Sequence, residues 1–148
     1  MWSGPAMWAA LGVAGATVGV LAGDLADRVG LRRPLVVALL LIAASTGLML
    51  AMGSLATALV SAALFGIGFT AAFAFLVMWS QEVFREDPTS GFTVTIVCAA
   101  AGFVVGPALF GVLATSTSRT VAVLTVAAPS LLVAALPLSG RAMDGTSA

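Results

Sequence analysis

The sequence predicts an all-α, polytopic membrane protein with five transmembrane helices. Apolar residues make up 61% of its 148 residues and charged residues only 8%, and the mean hydropathy is +1.16. Soluble domains are about half apolar and about a quarter charged. Long apolar runs also alternate with short segments rich in glycine, proline and charge. A chain of this length has room for about five or six spans of about 20 residues and for no separate soluble domain.

Five apolar runs define the predicted spans, which cover residues 5–22, 35–52, 55–80, 92–114 and 120–137. Local signals support their boundaries, because Pro34 suits the first turn of the second helix and Ser54 is a predicted N-cap of the third. The segment from Asp87 to Ser90 supplies a carboxylate, a proline and hydroxyls. That combination is typical of a helix start.

Glycine and proline positions predict how the helices pack. The first span contains Gly15 and Gly19, and Gly23 follows after the same interval. Small residues four apart line one helix face and let a neighbouring backbone approach closely, so we expect this face to pack against another helix. In the fourth span Pro107 removes a backbone hydrogen bond and predicts a kink. The flanking Gly106 and Gly111 would leave room for a neighbour in that bend.

The arginines predict the orientation of the chain. Residues 23–34 and 81–91 are predicted loops, and residues 139–148 are a predicted tail. Since successive loops alternate sides, Arg119 lies on one side and the other five arginines share the opposite side: Arg28, Arg32, Arg33, Arg85 and Arg141. Positively charged loops stay in the cytoplasm. We therefore expect a cytoplasmic C-terminus and an outside N-terminus, in the plasma (inner) membrane of a bacterium.

The spans themselves offer little chemistry. No charged residue lies in any of the five predicted spans and the chain has no histidine, whereas intramembrane charges usually mark proton relays and ion pathways. The single Cys98 excludes an internal disulfide. We expect no enzyme activity, no metal and no cofactor, and the formal net charge of zero gives no reason to expect nucleic acid as a partner. Hydroxyls in the spans are expected to bond to their own helix backbone: Thr17, Ser45, Thr46, Ser61, Thr70, Thr93 and Thr95.

One stretch concentrates the charge of the chain between glycines: Gly23-x-Leu25-Ala26-Asp27-Arg28-x-Gly30-x-Arg32-Arg33. It closely resembles the cytoplasmic-loop signature of the major facilitator superfamily, G-x-L-a-D-r-x-G-r-[rk]. Seven positions carry the resemblance: Gly23, Leu25, Asp27, Arg28, Gly30, Arg32 and Arg33. One position departs from the signature, because Leu31 stands where the family usually has an arginine.

The resemblance implies that residues 23–34 form a conformational-switch loop. Gly23 would permit a close helix approach, Gly30 would permit the chain reversal, and Asp27 would face the N-terminus of a neighbouring helix. The arginines would hold the loop on the cytoplasmic side. With Leu31 in place of arginine, the family's relay from aspartate to arginine would need Arg32 instead.

The resemblance also implies an architecture. In this superfamily each six-helix half carries such a loop between its second and third helices, and a longer loop between its fourth and fifth. Five spans fit a partial half-bundle that lacks its first helix. Residues 84–91 and 106–111 look like the eleventh helix of the YbfB/YjiJ-like branch, which favours helices 8–12 of the C-terminal half. Helices 2–6 are the alternative, because residues 102–111 partly resemble the antiporter signature of helix five.

The expected function is part of a secondary active transporter that moves a small solute by alternating access. Its expected partners are the lipid bilayer and either the missing N-terminal transporter half or further copies of itself, so that the chain would be incomplete on its own. The substrate and its binding residues are not assigned by the sequence. The alternative from a different class is a small structural or assembly membrane protein, or an inactive truncated remnant.

Overall fold

The computed structural model describes residues 3–51, 53–116 and 118–135. Within these residues the regular structure is entirely helical, which confirms the all-α fold class. The five α-helices follow the order of the predicted spans: α1 (Ser3–Val29), α2 (Arg32–Leu48), α3 (Leu55–Val83), α4 (Pro88–Ser116) and α5 (Arg119–Ala135). One 3₁₀ turn, Met49–Ala51, extends α2. The predicted tail at 139–148, with Arg141, and the end of the fifth predicted span lie outside the described residues.

Three of the described helices are long and apolar enough to cross a membrane: Gly4–Val29, Leu55–Val83 and Pro88–Leu113. The apolar part of α5, Val123–Ala135, is shorter, and α2 contains 17 residues before its 3₁₀ turn. A bundle of this kind is a multi-pass membrane protein. That α2 and α5 also span the bilayer stays a prediction.

The predicted loops were too long, because the helices continue beyond the apolar runs. Helix α1 ends only at Val29, so residues 23–29 are helical and only Gly30 and Leu31 separate α1 from α2. The predicted loop at 81–91 shrinks likewise to residues 84–87. Charge alone does not end a helix, since each backbone hydrogen bond is made within the helix itself. The last two turns of α1 are therefore a charged helical extension.

Local geometry explains the helix boundaries at three positions, and at Ser54 and Asp87 it confirms the predicted helix starts. Gly30 has φ of 75°, a left-handed conformation that glycine adopts without strain, and this gives the sharp reversal after α1. The Ser54 hydroxyl accepts the N–H of Thr57 (3.2 Å), and the Thr57 hydroxyl accepts the N–H of Ser54, which forms a capping box at the start of α3. At the start of α4 a carboxyl oxygen of Asp87 accepts the N–H of Ser90 at 3.2 Å.

Helix α3 is the centre of the bundle, because α1 and α2 both pack mainly against it. Two glycines of α3 make these approaches close. A Cβ atom at Gly66 would collide with the backbone carbonyl of Leu11 on α1, and one at Gly68 would lie 2.8 Å from the carbonyl oxygen of Ala38 on α2. Both contacts are backbone against backbone, which is how small residues join helices in lipid.

Only part of the predicted glycine face of α1 lies in this interface. Gly15 is buried there, and a Cβ atom on it would be 2.6 Å from the hydroxyl oxygen of Thr70. At the other predicted packing glycines a Cβ atom would meet nothing within 4 Å in the described chain: Gly19, Gly23, Gly106 and Gly111. Helix α4 is continuous through Pro107, and the kink there stays a prediction. Close packing at these positions stays a prediction that concerns a partner outside this chain.

The buried apolar cluster lies toward the charged end of the bundle. Its largest members are Phe75 of α3, 1% exposed, Leu31 just before α2 and Leu35 in the first turn of α2. Alanines complete it: Ala22, Ala38, Ala71 and Ala72. Leu31 is only 5% exposed. The departure from the family signature at this position therefore places an apolar side chain in the core.

Helix α4 is the least covered of the apolar helices. None of the residues in its most apolar window is buried, and Val104 in the middle of the helix is 73% exposed. Its described contacts are with α3 and, more sparsely, with α5, and they include the ring of Phe103 at 5.7 Å from that of Phe69. Lipid or a helix from another body must cover the rest of this surface.

Candidate functional site

The candidate site lies where the α1–α2 corner, residues 23–33, meets the end of α3. Side chains from both parts line one cavity of about 440 Å³: Ala26, Asp27, Leu31, Met78, Gln81, Glu82 and Arg85. The two arginine-bearing connections, α1–α2 and α3–α4, therefore lie at the same end of the bundle. This is the arrangement that alternating helix directions require.

Arg28 is paired within its own helix. Its Nε lies 3.2 Å from Oδ1 of Asp24 and a terminal guanidinium nitrogen lies 3.1 Å from Oδ2. Both side chains are well exposed, at 72% and 63%. An exposed pair four residues apart is worth about 0.3–0.5 kcal/mol, so it supports the last turn of α1 without fixing the fold.

Asp27 points to the other side of the corner, toward the end of α3. It is exposed, and within the described residues no arginine lies in ion-pair distance of it. The predicted neighbour of Asp27 was a helix N-terminus, but in the structure Asp27 lines the same cavity as Glu82 in the last turn of α3 and Arg85 just after it. A contact of Asp27 with a helix N-terminus stays a prediction for a second body.

Glu82 is the residue that the sequence did not single out. Its Oε2 atom is buried and has no hydrogen-bond partner among the described residues. The nearby Arg85 donates from Nε to the backbone carbonyl of Glu82 at 3.2 Å. A buried acceptor without a partner costs about 1–3 kcal/mol. Glu82 also lines the cavity, so its carboxylate lies at a surface that another body could contact.

The remaining positions of the signature divide between packing and charge. Leu25 and Arg33 are exposed, Arg32 is half-buried, and neither arginine forms an ion pair within the described part of the chain. Gly30 makes the turn and Leu31 fills the core. An aspartate-to-arginine relay that uses Arg32 stays a prediction.

A second cavity, of about 420 Å³, lies at the opposite end of the bundle. It opens among the start of α1, the end of α2, the start of α3 and Phe110 of α4. Its wall is mostly apolar, with aromatic rings from Trp8 and Phe65 and the hydroxyl residues Ser45 and Ser61. No charged side chain lines it.

The predicted behaviour of the span hydroxyls is confirmed at five positions, where each hydroxyl donates to a carbonyl of its own helix: Thr17, Ser45, Thr46, Thr93 and Thr95. For Thr70 it stays a prediction, and for Ser61 the prediction was wrong. Its hydroxyl donates to the backbone carbonyl of Ser45 at 2.8 Å, which joins α3 to α2. Ser61, Gly68 and Phe75 follow one another at intervals of seven and are all buried. That spacing marks one helix face and would have identified the interface.

Comparison with known proteins gives one result of broad coverage. The family described as "Uncharacterised MFS-type transporter YbfB" matches residues 1–138, which include the α1–α2 corner and all five helices. No curated protein matches the chain. No solved structure matches it either. The family points to a transporter rather than an enzyme. On the match across its helices and its signature corner, the chain belongs to the YbfB family of transporters within the major facilitator superfamily.

Proposed function

We propose that this chain supplies one half-bundle of a secondary active transporter, which moves a small solute by alternating access and requires its other half. The observation that carries the proposal is the α1–α2 corner, whose cavity is lined by the exposed Asp27 and by Glu82, a residue with one buried carboxylate oxygen that has no partner among the described residues. In transporters of this kind the solute site lies near the midplane between repeats. A half-bundle would then provide only one wall of it.

The corner is proposed to act as one side of a conformational switch. The carboxylates of Asp27 and Glu82 would accept hydrogen bonds from the opposite half when the inner side is closed, and would release them when it opens. A contact that is made in one state and broken in the other biases the equilibrium between the two. Hydrogen bonds to a charged group are worth about 1.5–3 kcal/mol, which is enough to shift such an equilibrium about 10- to 100-fold.

The exposed surface of α4 supports the need for a second body. Its glycines, Gly102 and Gly106, have open space around them within the described chain, and a neighbouring helix can approach such positions closely. The missing N-terminal half is the proposed neighbour, and a further copy of this chain is the alternative. Under the first arrangement the five helices correspond to helices 8–12, while helices 2–6 remain the alternative numbering.

The proposed orientation places the α1–α2 corner in the cytoplasm. The clustering of Arg28, Arg32, Arg33 and Arg85 at one end of the bundle supports it, because positively charged connections stay inside. The N-terminus would then lie outside the plasma membrane. Labelling of cysteines introduced at Gly4 and at Glu86 with a membrane-impermeant reagent tests this, since only the first is expected to react in intact cells.

The experiment that tests the proposed function compares Asp27→Ala with Glu86→Ala, which removes an exposed carboxylate outside the cavity. Each variant is expressed with the other transporter half and solute uptake is measured in vesicles. Asp27→Ala is expected to lower the uptake rate about 10-fold or more with unchanged membrane insertion, whereas Glu86→Ala changes it less than about two-fold. Uptake by vesicles that hold only this chain would refute the requirement for a second half. Unchanged uptake by Asp27→Ala would reduce the corner to an orientation signal.

A further inference from the structure

The cavity at the end of the bundle opposite the α1–α2 corner has the size of a small-molecule site. Its volume of about 420 Å³ falls within the range of about 300–1,000 Å³ that is usual for ligand pockets. Every residue that lines it belongs to α1, α2, α3 or α4 or to the 3₁₀ turn after α2. The cavity therefore exists within this chain and does not require the other half.

Each hydroxyl of the cavity wall donates its hydrogen to a backbone carbonyl. Ser45 donates to the carbonyl of Ile42 at 2.8 Å, Thr46 donates to the same carbonyl at 2.7 Å, and Ser61 donates to the carbonyl of Ser45 at 2.8 Å. A hydroxyl has one hydrogen to donate and two lone pairs that accept. Since each hydrogen is donated, what these hydroxyls can still offer to a bound molecule is acceptor capacity. Thr46 and Ser61, 6% and 5% exposed, offer more of it than Ser45, which is 1% exposed.

The rest of the lining is apolar and aromatic. Phe65 of α3 and Phe110 of α4 contribute rings, and Trp8, 74% exposed, stands at the rim with the indole N–H as a donor. An anion in this cavity would meet acceptor lone pairs along the inner wall and no cationic side chain. A charged group left in an apolar site without a partner is strongly disfavoured. The wall therefore selects against anions and favours an apolar body with one donating group.

We propose that this cavity binds a small, uncharged, largely apolar molecule that carries a hydrogen-bond donor, of the class of phenols and N–H aromatic heterocycles. The ring would lie among Phe65, Phe110 and Trp8, and the donor would point to the hydroxyl oxygens of Thr46 and Ser61. That the bound molecule is also the transported solute rests on the proposed function. Binding itself depends only on this chain.

The test uses two probes of similar shape, 4-fluorophenol and 4-fluoroanisole, which differ in the presence of a donor. Binding to the purified full chain in detergent micelles is followed by fluorine NMR, and partition into empty micelles is subtracted. We expect 4-fluorophenol to bind about five- to ten-fold more tightly, the effect of about one hydrogen bond. Equal affinity of the two probes, as a lipid chain that fills the cavity would produce, overturns the proposal.

Matched variants locate the binding. Ala62→Leu fills the cavity and is expected to abolish binding of both probes, whereas Ala56→Leu, on an exposed position of the same helix, leaves it unchanged. The double variant Thr46→Val, Ser61→Ala removes two acceptors and is expected to bring the preference for 4-fluorophenol below about two-fold while 4-fluoroanisole still binds. Binding that survives Ala62→Leu, or a preference that survives the double variant, contradicts the assignment. Failed transport with intact binding would count against the proposed function alone, because these assays require no transport.

Discussion

Replacement of Gly66 by alanine probes the contact that holds α1 against α3. The structure leaves no room for a Cβ atom there, because the Leu11 carbonyl oxygen, carbon and Cα of α1 surround the position. These are backbone atoms of a helix, so they cannot rotate away as the end of a flexible side chain could. The substitution must separate the two helices or shift one along the other.

The size of the effect follows from a comparison with Gly102→Ala. Both glycines lie near the middle of helices of 29 residues, so the gain of about 1 kcal/mol in helix propensity from glycine to alanine applies to both. At Gly102 no atom lies within 4 Å of the added methyl group. Overpacking at Gly66 costs about 1–3 kcal/mol. The difference between the two variants isolates this cost, since the propensity contribution cancels.

The assay is reversible unfolding of the full chain in mixed micelles with increasing dodecyl sulfate, followed by tryptophan fluorescence. Trp79 packs against the buried cluster and reports on its loss. Gly66→Ala is expected to unfold with a free energy about 1–3 kcal/mol lower than that of Gly102→Ala. Equal unfolding midpoints for the two variants would refute the close contact between α1 and α3.

Three other predictions use the same unfolding assay. Phe75→Ala should lower the free energy of unfolding by about 2–3 kcal/mol, which is less than the loss of about 3–5 kcal/mol in soluble cores because lipid replaces water around the unfolded helices. Phe103 is 59% exposed, so Phe103→Ala should lower it much less. Equal losses in the two variants would contradict the location of the core. Ser54→Ala should cost about 0.5–2 kcal/mol through the lost cap of α3, and an unchanged midpoint would exclude that cap. The Ser90 hydroxyl and N–H hold the pKa of Asp87 below its ordinary value of 3.8. Since the pKa of Asp87 is lowered in the folded state, its cap stabilises α4 fully at pH values above the ordinary pKa. This stabilisation is lost as the pH falls through the lowered pKa. In Asp87→Asn the unfolding free energy should lose this dependence on pH.

Much of the fold followed from the sequence, because lipid imposes length and composition on a spanning helix. The five apolar runs became five helices in the same order, and Ser54, Asp87 and Gly30 ended or began them as their side chains or backbone freedom dictate. The helix ends were the weak point. Polar residues show where the bilayer could end, whereas helix α1 ends where Gly30 reverses the chain, seven residues after Gly23.

Helix partners were harder to predict than helix positions. Glycines at intervals of four identify a face that can be approached closely, but they do not say which helix approaches it. Gly15 packs closely against α3, whereas a Cβ atom on Gly19 would meet nothing within 4 Å in the described chain. Conversely, Gly66 and Gly68 of α3 made the closest approaches without a second glycine four residues away. The partner of a small residue depends on the tertiary arrangement, which local spacing does not contain.

The residues of the candidate site were likewise predicted only in part. The signature directed attention to Asp27 and Gly30, but Glu82 was not identified because its importance lies in burial without a partner, a property of three-dimensional packing. The departure from the family signature at Leu31 is explained only by the buried cluster in which its side chain lies. Charge and glycine spacing thus located the corner, and the structure showed which of its groups line the cavity.

We infer that this chain is one part of a larger transporter, and the sequence of the DNA that flanks its gene tests this claim. We predict an open reading frame continuous with the codon for Met1, or an adjacent co-transcribed gene, that encodes the remaining apolar spans of a major facilitator transporter. A stop codon in frame shortly upstream, a promoter of its own and no neighbouring gene with such spans would contradict the claim. The chain would then be a free-standing small membrane protein.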